Sequence, residues 1–453
     1  MRPAASDGPG PTGVWLIGAR GSVATTAIAG CAAMSAGLHP PTGLVTETPP
    51  FSGTGLPTLS SLVFGGHDTM ECPLPKRAEH LAAGGVLPHG LPAAVHAELA
   101  AADAEIRTGG PLPGDSRTDD ELITAFAEEI RDFAQRHGLA RVVVINVAST
   151  EPAVVPGGPA VGATGVGSAS AGSSSDSDSG LRSSSDASLR PGPGGPGPGD
   201  SAFASAGSAP TAPAPGPGSS GSTPASAEPP PSSADRLPPS SLYAAAALRA
   251  GAPYVNFTPS TGLHHPALAD LAAASGLPFA GRDGKTGQTL LRSVLGPMFA
   301  QRALAVRAWS GTNLLGGGDG AALADPAAAA AKNAGKERVL ADTLGTVPEG
   351  EVHIDDVPAL GDWKTAWDHI AFDGFLGTRM TLQTTWQGCD SALAAPLILD
   401  LARLLARAHE AGLDGPRPEL AFYFKDPDPG ATSALPDQHL ALLAFADRLR
   451  ETT

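Results

Sequence analysis

Residues 13–21 read GVWLIGARG, an apolar run that ends in glycines, and the small-residue stretch TTAIAGCAAMSAG (25–37) follows. An unbroken apolar run entering a glycine turn is the pattern of a strand covered on both faces and feeding a helix. RVVVINVAST (141–150) repeats it, an apolar run ending in polar residues. Between the two, TGLVTETPPF is read as a second strand. Thr118 to Gly138 is read as a helix, with Thr118 and Glu121 as a capping box and Gly138 beyond its end.

The alternation resumes with helix SLYAAAALRAG, strand PYVNFTPS, helix HPALADLAAASG, strand PFAGRDG and a helix from about Thr286. Strands alternating with helices predict an α/β, doubly wound parallel sheet, in which ligands gather at the carboxyl ends of the strands. Asn146, Ser149, Asn256, Thr258, Ser260 and Asp283 fall there. From Arg302 onward LAVRAWSGTNLL, GEVHIDDVPAL, HIAFDGFLG and TRMTLQTTWQG alternate as strands, which predicts a smaller α+β domain. A long amphipathic helix over 390–412, a strand ELAFYFKDP and a closing helix then return to the first domain.

From about Ala153 to Pro239 the chain is Gly, Ser, Pro and Ala with few large apolar residues. Such a segment buries too little surface to offset the entropy of ordering, and is expected to be a disordered insert. The expected division is 11–152 and 240–295 for the two parts of the nucleotide-binding domain, 153–239 for the insert, 296–389 for the second domain and 390–453 for the return.

The formal charge of −16 gives no general attraction to nucleic acid or to an anionic membrane, so an anionic ligand needs a local cationic pocket. Cys31, Cys72 and Cys389 stand far apart, with neither zinc-finger nor disulfide spacing. No signal peptide or membrane span is read, and a cytoplasmic location is expected. Lysine is scarce: Lys76, Lys285, Lys332, Lys336, Lys364 and Lys425 stand against twenty-three arginines. A composition that fills ordinary cationic positions with arginine leaves the few lysines as candidates for chemistry, because an ammonium with a movable pKa is not replaceable by guanidinium.

Gly18-Ala19-Arg20-Gly21, followed by Ser22 and Val23, sits between strand and helix, where a dinucleotide phosphate turn belongs. It is a short G-x-x-G that also suits an ordinary tight turn. Glu47 either holds a ribose hydroxyl or is a solvated loop carboxylate. GRDGKTGQTL (281–290) ends like a nucleotide-triphosphate loop, but that motif demands glycine where Phe279 stands. A helix N-terminus at Thr286, Gly287 and Gln288 can still cradle a phosphate. Lys332 and Lys336, four apart, repel on a shared helix face unless an anion lies between them. Asp283, Asp319 and Asp390 are candidate partners for ammonium groups or a cation.

Taken in order, VWLIGARGSVATTA, LVTETPPF, FGGHD, VVINVASTEP, YVNFTPS, GRDGKTGQTL, TNLLGGGDG, KNAGKERVL, DWKTAWDH, GFLGTRMTLQ, CDSALAAPLILDLARL and AFYFKDP resemble the myo-inositol-phosphate synthase family, closest to its compact archaeal form. The resemblance covers all but the first ten residues and the 153–239 insert. It implies a Rossmann-type domain holding NAD, an α+β domain that completes the active site, and a homotetramer. It implies cyclisation of D-glucose 6-phosphate to inositol phosphate by oxidation, enolisation, aldol closure and reduction. Lys332, Lys336, Lys364 and Lys425 match the family's active-site lysines, and Asp283 and Asp390 its aspartates. Gly18 to Val23, Glu47, Asn146, Ser149, Thr150, Asn256 and Asp283 are the implied cofactor contacts. Thr286, Gly287, Gln288 and Lys336 are the implied phosphate contacts, Asn313 a further substrate contact, and Asp319 a cation ligand. The chain departs from the family in lacking its glycine-richer phosphate turn and in having Gly311-Thr312 where Ser-Tyr is usual before Asn313. The rivals are a cyclase for another sugar phosphate, and a degenerate NAD-binding scaffold.

Overall fold

The computed structural model describes residues 10–112, 114–149, 151, 236–316 and 338–452. The expected insert up to residue 235, together with Thr150, Asp319, Lys332 and Lys336, lies outside the described residues, whereas 236–239 are described and Pro239 already opens the helix Pro239–Arg249.

The chain builds two sheets. The larger contains β1 (Thr12–Ile17), β2 (Leu62–Asp68), β3 (Ile106–Thr108), β4 (Arg141–Asn146), β5 (Tyr254–Asn256) and β6 (Pro278–Gly281). A seventh strand, written β11 (Gly415–Pro416), comes from near the carboxyl end. Their spatial order is β11-β6-β5-β4-β1-β2-β3, and every neighbouring pair is parallel. The order reverses between β1 and β4, which opens a crevice at their carboxyl ends.

The apolar runs of β1 and β4 are continuous because both faces of the sheet are covered. Val14, Leu16, Val143 and Ile145 point to one core, while Trp15, Ile17, Val142 and Val144 point to another. Helices Ser22–Ser35 and Asp390–Glu410 pack together on the first face. Helices Asp119–Arg136 and Pro239–Arg249 pack on the second. Each large side chain so buried contributes about 1.5–3 kcal/mol. The Thr118–Glu121 capping box forms, with Thr118 N–H donating to Glu121 at 2.7 Å and Glu121 N–H to Thr118 Oγ1 at 3.3 Å.

The smaller sheet has the order β10-β9-β7-β8, from β7 (Ala305–Leu315), β8 (Val352–Asp356), β9 (Trp363–Asp373) and β10 (Arg379–Cys389). One face rests on the helix Gly287–Gln301 through Phe299, Trp309 and Ile370. Lys364 lies at the start of β9, opposite Leu315 on β7 and Gly388 on β10.

Two expected strands are not strands. TGLVTETPPF forms short 3₁₀ turns, Val45–Glu47 and Pro49–Phe51, because successive prolines remove the N–H donors a ladder needs. The second strand is the later run LVFGGHD. ELAFYFKDP is a 3₁₀ segment, Pro418–Tyr423, opened by a proline; only Phe424 bridges, to Gly284.

Candidate active site

At the β1–β4 crevice the chain turns at Gly18, whose φ of +86° suits glycine. A Cβ there would lie 2.7 Å from Ala148 Cα, so the turn lies directly against the loop after β4. The N–H groups of Gly18 and Ala19 both donate to His67 O, at 2.9 and 3.2 Å. The helix Ser22–Ser35 then starts at Gly21 with no side-chain cap and no acidic residue in its first turn. Its first N–H groups and the positive end of its dipole therefore suit an anion, and a pyrophosphate fits.

Ala19 is buried in this turn and Val23 packs against the adjoining core. Arg20 braces the turn: its Nε donates to Asp103 at 2.8 Å and its Nη1 to Met70 O at 2.9 Å. Ser22 Oγ donates to Asp362 Oδ1 at 2.9 Å and accepts from Arg77 at 2.6 Å, which ties the turn to the approach to β9. Glu47 follows no strand; it sits on its 3₁₀ turn, 2.6 Å from Arg403 Nη1. The acidic residue at the end of the second strand is Asp68, which accepts from Arg20 N–H at 2.6 Å and Met70 N–H at 2.7 Å. The signal for it in the sequence is the acid that ends the run LVFGGHD, a later strand than the expected TGLVTETPPF.

Asn146 and Asn256 lie at adjacent strand ends and are buried. Asn256 Nδ2 donates to Ser260 O at 2.7 Å, and its Oδ1 accepts from Thr258 Oγ1 at 2.8 Å. Asn146 Oδ1 accepts from Ala148 N–H at 3.2 Å. These amides shape the loops, and Ser149 beyond them is exposed.

The segment 282–285 is held between two others by backbone hydrogen bonds. Asp283 N–H donates to Thr258 O at 3.0 Å and Gly284 N–H to Phe257 O at 3.0 Å. On the other side Lys425 N–H donates to Asp283 O at 2.6 Å and Lys285 N–H to Tyr423 O at 2.8 Å. Gly284 has no room for a side chain, since a Cβ would lie 2.1 Å from the Phe257 ring. Asp283, at a φ of +60°, thereby meets Lys425, with Nζ 3.0 Å from Oδ1.

Lys285, the lysine of the G-K-T run, points inward rather than toward a phosphate. It is 4% exposed and donates to Ala421 O at 3.3 Å and to Gln438 Oε1. Burial lowers its pKa from the usual lysine value of 10.5 to about 7.

Thr286 then occupies the N-cap position of the helix Gly287–Gln301 without a side-chain capping hydrogen bond. At its amino end Gly287 has a φ of +55°, and a Cβ there would lie 2.9 Å from Lys364 Nζ. Lys364 donates to Asp390 Oδ2, and Asp390 is the first residue of the helix Asp390–Glu410. Two helix N-termini thus converge on one lysine–aspartate pair, a carboxylate at a helix start being favoured by the dipole.

Behind this junction Gln288 turns its side chain into the smaller sheet. Asn313 Nδ2 donates to Gln288 Oε1 at 2.6 Å, and Gln288 Nε2 donates to Asp368 Oδ2 at 2.9 Å. Trp309 Nε1 donates to Asp368 Oδ1 at 2.8 Å, and Arg292 Nη2 lies 3.5 Å from the same oxygen. Among the described residues no group of three His, Cys, Asp or Glu could hold a metal ion, and no helix is long and apolar enough to cross a membrane.

Two family models match the chain, both described as myo-inositol-1-phosphate synthase. One, an NAD-binding domain, covers residues 12–158 and the other 287–391, together more than half of the sequence. An inositol-3-phosphate synthase 1 from Bacteroides thetaiotaomicron is 36% identical over 200 residues, 42% of this chain and 46% of the relative. The chain spans less than half the length of the curated relatives it matches, one from Spirodela polyrhiza being covered over 34%. A crystal structure of inositol-3-phosphate synthase from Caenorhabditis elegans superimposes with a TM-score of 0.70 at 20% identity, covering 98% of this chain and 86% of that one. A myo-inositol-1-phosphate synthase-related protein from Thermotoga maritima does so with a TM-score of 0.65 at 20% identity, covering 96% and 98%. At such identities the two structures speak for the fold.

Proposed function

The chain belongs to the myo-inositol-1-phosphate synthase family and carries its NAD-binding domain, and we propose that it cyclises D-glucose 6-phosphate to 1D-myo-inositol 3-phosphate, the first step of inositol biosynthesis. The observation that carries the proposal is the Lys364–Asp390 pair set against Gly287 at the amino end of the helix Gly287–Gln301. An ammonium beside a phosphate-ready helix N-terminus is the donor set that a sugar phosphate passing through oxyanions requires.

Bound NAD would supply a hydride acceptor and then a hydride donor, so that the net reaction would be an isomerisation. The cofactor would lie across the Gly18–Gly21 turn and the strand ends at Asp68, Asn146 and Asn256, with Asp283 beside its reactive end. The N–H groups of Thr286, Gly287 and Gln288 would hold the substrate phosphate. Lys364 would stabilise negative charge on oxygen as a C6 proton leaves and as the enolate closes on C1. Asp390 would keep that ammonium oriented, and Lys425, held by Asp283, would serve the second oxyanion. Preorganised donors of this kind are each worth about 10²–10³ in rate. Lys332 and Lys336 would complete the cationic set, Asn313 would meet a sugar hydroxyl, and Asp319 would take a cation if one is needed.

A homotetramer, a cytoplasmic location, and the division at 152, 239, 295 and 389 belong to the same proposal. Incubating purified protein with NAD and glucose 6-phosphate and identifying the product by NMR tests the reaction. An inositol monophosphate is expected; absence of any cyclised product rejects the reading.

A further inference from the structure

The chain Asp368–Gln288–Asn313 has a direction, and a carboxylate sets it. Asp368 is 1% exposed, and its carboxylate, 3.5 Å from Arg292 Nη2, accepts hydrogen bonds. Its Oδ1 receives Trp309 Nε1–H, a group that can only donate. The Gln288 amide must therefore turn its NH₂ to Asp368 and its oxygen to Asn313. Asn313 in turn must donate with Nδ2, which leaves Oδ1 facing the other way. Asn313 is 4% exposed, and that oxygen has no hydrogen-bond partner among the described residues. A buried acceptor left without a donor is unfavourable unless a ligand supplies one.

The packing leaves this chain no slack. A Cβ at Gly311 would lie 2.9 Å from Gln288 Nε2 and 3.0 Å from Asp368 Oδ1, so the absent side chain at 311 is what lets those two groups meet. The departure Gly311-Thr312 noted in the sequence is thus a packing requirement of the relay. Gln288 also lies in the first turn of the helix Gly287–Gln301, next to the residue that abuts Lys364.

We propose that Asp368 is a positioning residue: through Gln288 it fixes the orientation of the Asn313 amide, so that the site presents a buried acceptor to a polyol hydroxyl. The role of the hydroxyl rests on the reaction proposed above, whereas the direction of the relay does not.

Asn313→Asp tests the direction in the protein alone. An introduced carboxylate would face Gln288 Oε1, acceptor against acceptor, whereas its protonated form would donate to that oxygen. The variant is therefore expected to lose melting temperature relative to the wild type at pH 8 and to recover it as pH falls toward 5. Asp368→Asn reverses the relay, because its amide oxygen is taken by Trp309 and its NH₂ faces Gln288. Asp368→Asn/Asn313→Asp together should then be more stable at pH 8 than Asn313→Asp alone. A pH-independent loss in Asn313→Asp, or a double variant no more stable than the single one, overturns the relay; the first measurement stands even if Asp368→Asn does not fold. With glucose 6-phosphate and NAD, Asp368→Asn should raise KM at least tenfold with a smaller change in kcat, and the double variant should recover part of it. An unchanged KM overturns the positioning role. A wild type that neither binds nor cyclises glucose 6-phosphate while the melting data hold removes the substrate assignment and leaves the directed acceptor in place.

Discussion

Lys425 Nζ lies 3.0 Å from Asp283 Oδ1, and the same two residues are joined again through Lys425 N–H and Asp283 O at 2.6 Å. The ammonium is thus fixed at both ends of its own residue, the preorganisation that the role proposed for Lys425 requires. Lys425→Met should retain the backbone pairing and the fold. Turnover should fall about 10²-fold, with NAD affinity, read by isothermal titration, changed less than threefold. A variant within a few-fold of wild-type turnover would remove Lys425 from the chemistry.

Gly287 bears on Lys364 in the same way. At a φ of +55° an alanine costs about 1–2 kcal/mol in backbone strain, and its Cβ would come within 2.9 Å of Lys364 Nζ. Gly287→Ala is expected to lower Tm by several degrees and to abolish turnover. Lys364→Arg should do the second without the first, because a guanidinium fork does not fit where a point ammonium sits between Gly287 and Asp390. Full activity in Lys364→Arg would refute the assignment.

The parts of this molecule that could be read from sequence are those whose cause is local. The two-faced burial of β1 and β4 is written in GVWLI and VVVIN, and the Thr118 cap in its own spacing. Lysine scarcity pointed to Lys364 and Lys425, but it also pointed to Lys285, which the fold turns inward to Gln438 on a helix 153 residues away in sequence. Reading TGLVTET as the second strand places Glu47 after it, as either a ribose contact or a loop carboxylate, but prolines 49 and 50 deny that run a ladder. Asp68, twenty-one positions later, was written in FGGHD all along. Asp368 and Gln288 could not be joined from sequence, since their contact depends on β9 packing over the helix Gly287–Gln301 and on Gly311 leaving room.

Asp400 is buried on the long helix, accepting from Val45 N–H at 2.9 Å, from Thr46 Oγ1 at 2.5 Å and from Tyr423 Oη at 3.3 Å. Burial pushes its pKa up to about 6 from 3.8, against the pull of these donors and of Arg403. The folded state therefore holds a proton that the unfolded chain releases between about pH 4 and 6. Stability from this group is present below that window and lost as pH rises through it. Asp400→Asn should remove that slope, so urea midpoints of the variant should change less than wild type between pH 4 and 6.5. Parallel curves for the two proteins would show that Asp400 titrates as an ordinary carboxylate.

Lys285 gives the opposite slope in a different window. Its pKa is lowered by burial from 10.5 to about 7, so between those values the unfolded chain binds a proton that the folded protein does not. Where the unfolded state binds more protons, stability rises with pH. The buried ammonium thus costs the fold most below pH 7, and that cost disappears progressively up to about pH 10. The acceptors Ala421 O and Gln438 Oε1 favour the charged form and oppose this effect of burial. Lys285→Met, similar in length and without the charge, should flatten the stability profile over pH 7–9.5 and raise stability at pH 7. Because Lys285 N–H, rather than its side chain, pairs with Tyr423 O, the segment carrying Asp283 should stay in place. Lys285→Met is accordingly expected to keep most of its turnover, unlike Lys425→Met. A loss of turnover as deep as that of Lys425→Met, with the pH slope unchanged, would mean that the Lys285 ammonium serves the reaction instead of the fold.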